Sequence, residues 1–282
     1  MYKLIDGNLI SKQILDELKA KVQSIKENNK TIKMVDILVG NDEASKIYIE
    51  SKKKKFLDVG IEFEECILNG DIEENELINK IETLNNDVSV NAIFIELPLP
   101  KHINQKNIID KIKYTKDVDG FSTQNLGALL QGNKCFIPCT AEGIYELIKR
   151  SNIVIEGKHV VVIGRSNIVG KPVALLMLNE NATVTICHSR TKNIKDICKT
   201  ADILIVATGK AKMVDDTYIK EGAIVIDAGI HREVVNGEKK VCGDVDFDKV
   251  AEHTSYITKV PGGVGPMTVT MLISHCIDTL NF

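Results

Sequence analysis

The 282-residue sequence has little arginine, no net positive charge and no long apolar run. Lysine and arginine together number 36 against 39 acidic residues, for a net charge of -3. No global basic field is therefore expected to attract nucleic acid or an anionic membrane. No apolar run approaches the roughly 20 residues that span a bilayer. Residues 1–7 lead at once into a structured-looking segment with no signal-peptide h-region, so the expected compartment is the cytosol. The seven cysteines, an odd number, contain no C-x-x-C pair. That argues against a disulfide scaffold or a zinc site and for small buried apolar groups. The six histidines are scattered, and no metal site is expected. Arg150, Arg165, Arg190 and Arg232 are the arginines. Each matters, because a guanidinium is the better fork for phosphate.

What is present is an average globular composition, 44% hydrophobic and 27% charged. The length suggests two domains. Helical periodicity over 8–28 places Leu9, Ile10, Ile14, Leu18, Val22 and Ile25 on one side. Strands are expected at 32–40, 61–68 and 91–97, with helices at about 44–59 and 73–86 between them. Helical segments follow near 105–113, 122–131 and 140–150. A second series has strands at 159–163, 182–187, 203–207, 223–227 and 256–260, and a last helix near 266–280. Asn236-Gly237 is a hairpin signal. The βαβα order predicts an α/β fold with parallel sheets. The weak boundary lies between about 120 and 157. Helices bridging two α/β domains there would leave a cleft.

The strand at 159–163 ends in Gly164-Arg165-Ser166-Asn167-Ile168-Val169-Gly170-Lys171-Pro172, and a helix follows. Glycine at the strand end allows a tight turn, and proline suits a first helical turn. Exposed helix N–H groups would then face a phosphate. The spacing departs from G-x-G-x-x-G, so an ordinary βα turn competes with a dinucleotide loop. The next strand ends in Cys187-His188-Ser189-Arg190-Thr191, without the acid that bonds the ribose in NAD-selective sites. A hydroxyl and a guanidinium would attract a 2′-phosphate, which favours NADP. A solvated surface role for Arg190 is the alternative.

Tyr48 and Lys52 are spaced i, i+4 on a stripe with Ala44 and Phe56. The lysine run at 52–55 reads as a wet surface, Lys52 excepted. Desolvation at a domain wall would lower the Lys52 pKa and suit it to proton transfer. A snorkelling lysine is the competing reading. Glu96-Leu97-Pro98-Leu99-Pro100 closes a strand at its carboxyl end, where open α/β sheets bind ligands. Asp117 and Asp119 sit in a turn and could be caps. Val260-Pro261-Gly262-Gly263-Val264-Gly265-Pro266 is a glycine-rich loop before the last helix. It could expose backbone to a ligand or be a simple turn.

Taken together, these motifs resemble the bifunctional methylenetetrahydrofolate dehydrogenase/methenyltetrahydrofolate cyclohydrolase family. The matching stretches include Val39-Gly40-Asn41-Asp42, Tyr48 with Lys52, Leu97-Pro98-Leu99-Pro100, residues 116–121, Pro138-Cys139-Thr140, 164–172, 188–191, 243–247 and 260–268. They span essentially the whole chain. The resemblance implies an N-terminal α/β folate/catalytic domain, 1–119. It implies a C-terminal Rossmann-like NADP-binding domain, 120–282, with its last helix packing back on the first. The folate would occupy the cleft. The family oxidises 5,10-methylenetetrahydrofolate with NADP and hydrolyses the methenyl product to 10-formyltetrahydrofolate, usually as a homodimer.

By resemblance, Lys52 is the catalytic lysine and Tyr48 the pterin-stacking tyrosine. Asp119 bonds the pterin, and Leu97, Pro98, Gly262 and Gly263 join the substrate site. Gly164, Arg165, Ser166, Ser189 and Ile230 fall at the cofactor, where the guanidinium of Arg190 is also expected from its place after the strand. The family usually has glutamine where this chain has Glu96. A carboxylate there would raise the Lys52 pKa and weaken the hydrolysis or shift it to higher pH. A protonated Glu96 would instead mimic the glutamine. A monofunctional dehydrogenase is the alternative that Glu96 motivates. Ala141 and Lys259 also stand where proline is common.

Overall fold

The computed structural model describes residues 2–235 and 238–282. In chain order the elements are β1 (Lys3–Ile5), α1 (Gly7–Glu27), β2 (Lys33–Val39), α2 (Glu43–Val59), β3 (Glu62–Leu68), α3 (Glu74–Asn86), β4 (Ala92–Ile95), α4 (Gln105–Lys111), α5 (Thr123–Leu130) and α6 (Cys139–Arg150). They continue with β5 (His159–Ile163), α7 (Gly170–Asn179), β6 (Thr183–Cys187), α8 (Ile194–Cys198), β7 (Ile203–Val206), β8 (Ala223–Asp227), β9 (His231–Val235), β10 (Glu238–Cys242), α9 (Phe247–Val250), β11 (Thr254–Thr258) and α10 (Gly265–Asp278). β9 and β10 pair antiparallel. The expected Asn236-Gly237 turn itself lies outside the described residues.

The chain forms two compact units. One comprises Gln13–Ile137 and Leu272–Phe282. Its sheet is parallel, in the order β3-β2-β4. β2 is central, and its apolar run buries Met34, Val35 and Ile37 completely, as both-face burial of a central parallel strand requires. Leu77, Ile81 and Leu84 of α3 join Val35, Ile37, Ile93 and Ile95 in one core. α2 is held at both ends. Asp42 accepts from Ser45 N at its start, and Gly60 closes it at φ 98°, in the left-handed region.

The other unit comprises Met1–Lys12 and Pro138–Met271. Its six-stranded sheet runs β1-β11-β8-β7-β5-β6, every pairing parallel. The short apolar strands β5 and β7 are buried almost throughout. β1 was not expected, being only three residues long and too short for a periodic signal. It pairs with β11, Leu4 opposite Ile257, and so carries the first residues into this unit. β11 begins at Thr254, ahead of the expected 256, because its backbone already pairs with Ala223 there.

Residues 120–137 stay with the three-stranded sheet for a local reason. The buried Asp117 carboxylate accepts from Gly120 N, Ser122 N and Asn125 Nδ2. Asn125 Oδ1 in turn accepts from Phe136 N.

Gly143 of α6 is buried, and a Cβ there would stand 2.7 Å from Met267 Cβ. Gly143→Ala should cost about 1–3 kcal/mol of overpacking against a gain of about 1 kcal/mol in helix propensity. A lowered denaturation midpoint is the expected result.

Candidate active site

Lys52 projects from α2 toward the three-stranded sheet and is 1% exposed. Its Nζ donates to Asp36 Oδ2 at 2.8 Å and to Glu96 Oε1 at 2.7 Å. The same atom lies 3.7 Å from the Phe94 ring centroid and 5.2 Å from that of Tyr48. Both faces are cation-binding surfaces. The register explains the convergence. Asp36 stands opposite Phe94 on the neighbouring strand. Glu96 N continues that pairing by donating to Ile37 O.

Burial pulls the Lys52 pKa down, but Asp36 and Glu96 outweigh it, and the ammonium titrates above the ordinary lysine value. This corrects the lowering expected from desolvation alone, which two contacting carboxylates reverse, in the direction expected of Glu96. Burial drives Asp36 the other way, up to about 6, with Lys52 opposing and Glu96 adding to the rise.

The rest of the stripe behaves differently. Phe56 is fully buried, whereas Tyr48 is 44% exposed. The side chain of Ala44 lies outside the described residues. Of the lysine run, Lys54 is exposed, and Lys53 pairs with Glu65. Leu97 is half-buried and Pro98 exposed directly after Glu96. Asp119 is half-buried, on a loop tied to β4 by Ile93 N donating to Lys116 O. Asp117 takes the turn-capping role expected of it, accepting from Gly120 N and Ser122 N.

In the other unit, a cavity of about 430 Å³ opens at the carboxyl ends of β5, β6 and β7. Gly164, Arg165, Ser166 and Ser189 line it, with His188, Thr191, Thr208 and Lys210. Arg190 and Ile230 are exposed and are not among its lining residues. The glycines are required by close approach. Gly164 has φ +134°, and a Cβ would meet Ala207 O at 2.3 Å; one on Gly170 would meet Gly164 O at 2.3 Å. Ser166 Oγ accepts from Val169 N at the helix start. The facing loop is pinned from behind, where the buried Asp244 accepts from Thr208 N, Gly209 N and His231 Nε2. A tight strand–loop–helix turn with hydroxyls, an arginine and a lysine at the rim suits a dinucleotide with an additional phosphate.

Gly262 and Gly263 belong to this unit as well. Asn8 N donates to Gly262 O, and a Cβ on Gly7 would collide with Gly263 O. The loop is thereby fixed against the start of α1.

The sequence reading missed Asp36, Lys210 and Asp244. Asp36 had a signal: one carboxylate inside an otherwise apolar run at 34–39. Lys210 had none beyond its place after a strand end, whereas Asp244 lay in the matching stretch 243–247 without being singled out.

The family profile described as tetrahydrofolate dehydrogenase/cyclohydrolase, catalytic domain, matches residues 5–119, and its NAD(P)-binding domain matches 138–281. The "Bifunctional protein FolD" of Agathobacter rectalis is 56% identical over 280 residues, 99% of both chains. The crystal structure of the bifunctional FolD enzyme from Campylobacter jejuni superposes with a TM-score of 0.96 at 43% identity, over 100% of this chain and 99% of that one. A Trypanosoma brucei FolD structure complexed with NADP cofactor and inhibitor has a TM-score of 0.93 at 35% identity, over 99% and 97%.

Two measurements follow from this geometry. Gly164→Ala strains the backbone by about 1–3 kcal/mol, so dinucleotide affinity should fall roughly tenfold or more in a fluorescence titration. Asp36 binds its proton more tightly folded than unfolded. Its contribution to stability is complete below the unfolded value of 3.8 and is lost as pH rises through about 6. The loss of stability between about pH 5 and about pH 7.5 should be smaller in Asp36→Asn than in the native chain, read as denaturant midpoints.

Proposed function

The chain belongs to the tetrahydrofolate dehydrogenase/cyclohydrolase family, and from that membership we propose how its own residues carry the chemistry. It is a bifunctional enzyme. It oxidises 5,10-methylenetetrahydrofolate with NADP to the methenyl form and hydrolyses that product to 10-formyltetrahydrofolate. No finding favours a dehydrogenase that has lost the hydrolase step.

The observation that carries the residue assignment is a fully buried ammonium beside a half-exposed aromatic ring. Tyr48 offers that ring to the pterin, and Asp119 bonds the pterin's polar edge. Leu97 and Pro98 wall the same site, and Gly262 and Gly263 supply backbone to it. NADP, when bound, accepts the hydride. Gly164, Arg165, Ser166 and Ser189 hold it, with Arg190 and Ile230 at its periphery. Oxidation needs chiefly alignment, since the folate N5 lone pair helps to expel the hydride. Hydrolysis needs more. A water must lose a proton as it adds to the methenyl carbon, and Lys52 is the group that handles it. Glu96 touches Lys52 and biases its charge.

The folate/catalytic role falls to the N-terminal part of the chain, to about residue 119, and NADP binding to the remainder. We assign a homodimer acting in the cytoplasm.

Lys52→Met tests the central role. Hydrolysis of methenyltetrahydrofolate should fall about 10²–10⁴-fold. In the coupled assay the methenyl absorbance should then accumulate. Undiminished hydrolysis would remove Lys52 from the mechanism.

A further inference from the structure

Apart from Asp36, residues 34–39 of β2 are all apolar. The Asp36 carboxylate is 1% exposed, in the centre of the sheet. Its Oδ2 accepts from Lys52, while Oδ1 is buried with no hydrogen-bond partner among the described residues. A buried acceptor left unpaired is unfavourable, and nothing in the packing of β2 requires a carboxylate at this position. Its one directed contact is with the proton-transfer amine.

We propose that Asp36 is a positioning residue for the hydrolytic step: with Glu96 it clamps the Lys52 ammonium between two carboxylates and sets the pH at which that amine becomes a base. The inference rests on the reading of Lys52 as the group that takes the proton from water.

Every contact made by the amine favours its charged form. Two carboxylate oxygens stand at 2.7 and 2.8 Å, and the Phe94 ring lies beneath. The groups around the amine come from each packed element. Asp36 belongs to β2, Glu96 follows β4, and Tyr48 lies one turn back on α2. Cys276 of α10 also feels the ammonium charge, but burial pushes its thiol pKa well up and keeps it neutral. Glu65 of β3 acts on Asp36 from the side and is itself paired with Lys53. The cluster thus sets two carboxylates against one ammonium. Removing the charge of Asp36 leaves Lys52 still paired with Glu96, so the variant does not strand a buried cation.

The test is the pH–rate profile of methenyltetrahydrofolate hydrolysis, measured on the full chain and on Asp36→Asn. Hydrolysis by a neutral amine rises with pH through the amine's pKa. The rising limb should move down by about one pH unit or more, giving roughly tenfold more neutral amine at a fixed pH. The midpoint of the limb does not depend on how much active protein survives, so a merely structural role lowers the amplitude and leaves the midpoint in place. Asp36→Val, an apolar residue of similar size in an apolar strand, should shift the limb in the same direction if the asparagine variant folds poorly. The dehydrogenase step, which needs no base, should show no matching displacement. A midpoint unchanged in both variants, or moved to higher pH, overturns the proposal. Lys52→Met separates the two readings. If that variant still hydrolyses, the assignment of Lys52 fails. If it does not, and the Asp36 midpoints stay put, only the positioning role fails.

Discussion

An ammonium with no exposed surface must be neutralised by groups buried with it, because stranding such a charge costs several kcal/mol. Lys52 meets that condition through three separate pieces of backbone: a helix, the middle of a central strand and the residue just past a neighbouring strand. None is free to drift. Parallel pairing fixes Asp36 beside Phe94 and places Glu96 next in line. The Asp42 cap and the Gly60 terminus fix the length of the helix that carries the lysine. The charge balance of the site is therefore a consequence of sheet register, and a slip of one residue would turn Asp36 to the opposite face.

The cofactor cavity solves a different problem by different means. Its shape comes from backbone that approaches closely and from a loop held by buried acceptors. Asp227 works in the same way one strand over. Its carboxylate accepts from Gly229, Asp244 and Val245 N–H groups, and burial still raises its pKa to about 6. Carboxylates thus serve here as anchors for loops, whereas at Lys52 they set a charge state.

Much of this was legible in the sequence. Apolar runs marked the inner strands β2, β5 and β7, because a doubly covered parallel strand has little polar face to break its pattern. Tyr48 and Lys52 could be placed on one face by spacing alone. What the spacing could not provide was the inner neighbour of Lys52. Asp36 lies 16 residues away and becomes a partner only through a crossover, so of the two carboxylates that raise the Lys52 pKa only Glu96 could be foreseen. The partial exposure of Tyr48 was equally hidden, since helical periodicity assigns a face but not the depth at which that face ends. β1 escaped because three residues carry no period, and its partner lies some 250 positions downstream.

That last pairing bears on biosynthesis. A chain leaves the ribosome from its amino end, and domains usually fold as they emerge. The stretch containing β2, β3 and β4 can assemble its own sheet early. The segment Lys3–Ile5 has no such option, because the strand it zips onto, Thr254–Thr258, is among the last parts to be translated. The edge of the larger sheet therefore closes only after Thr254–Thr258 has been made. Until that strand has been made, Lys3–Ile5 remain an unpaired tether, and the three-stranded-sheet unit likewise waits for Leu272–Phe282.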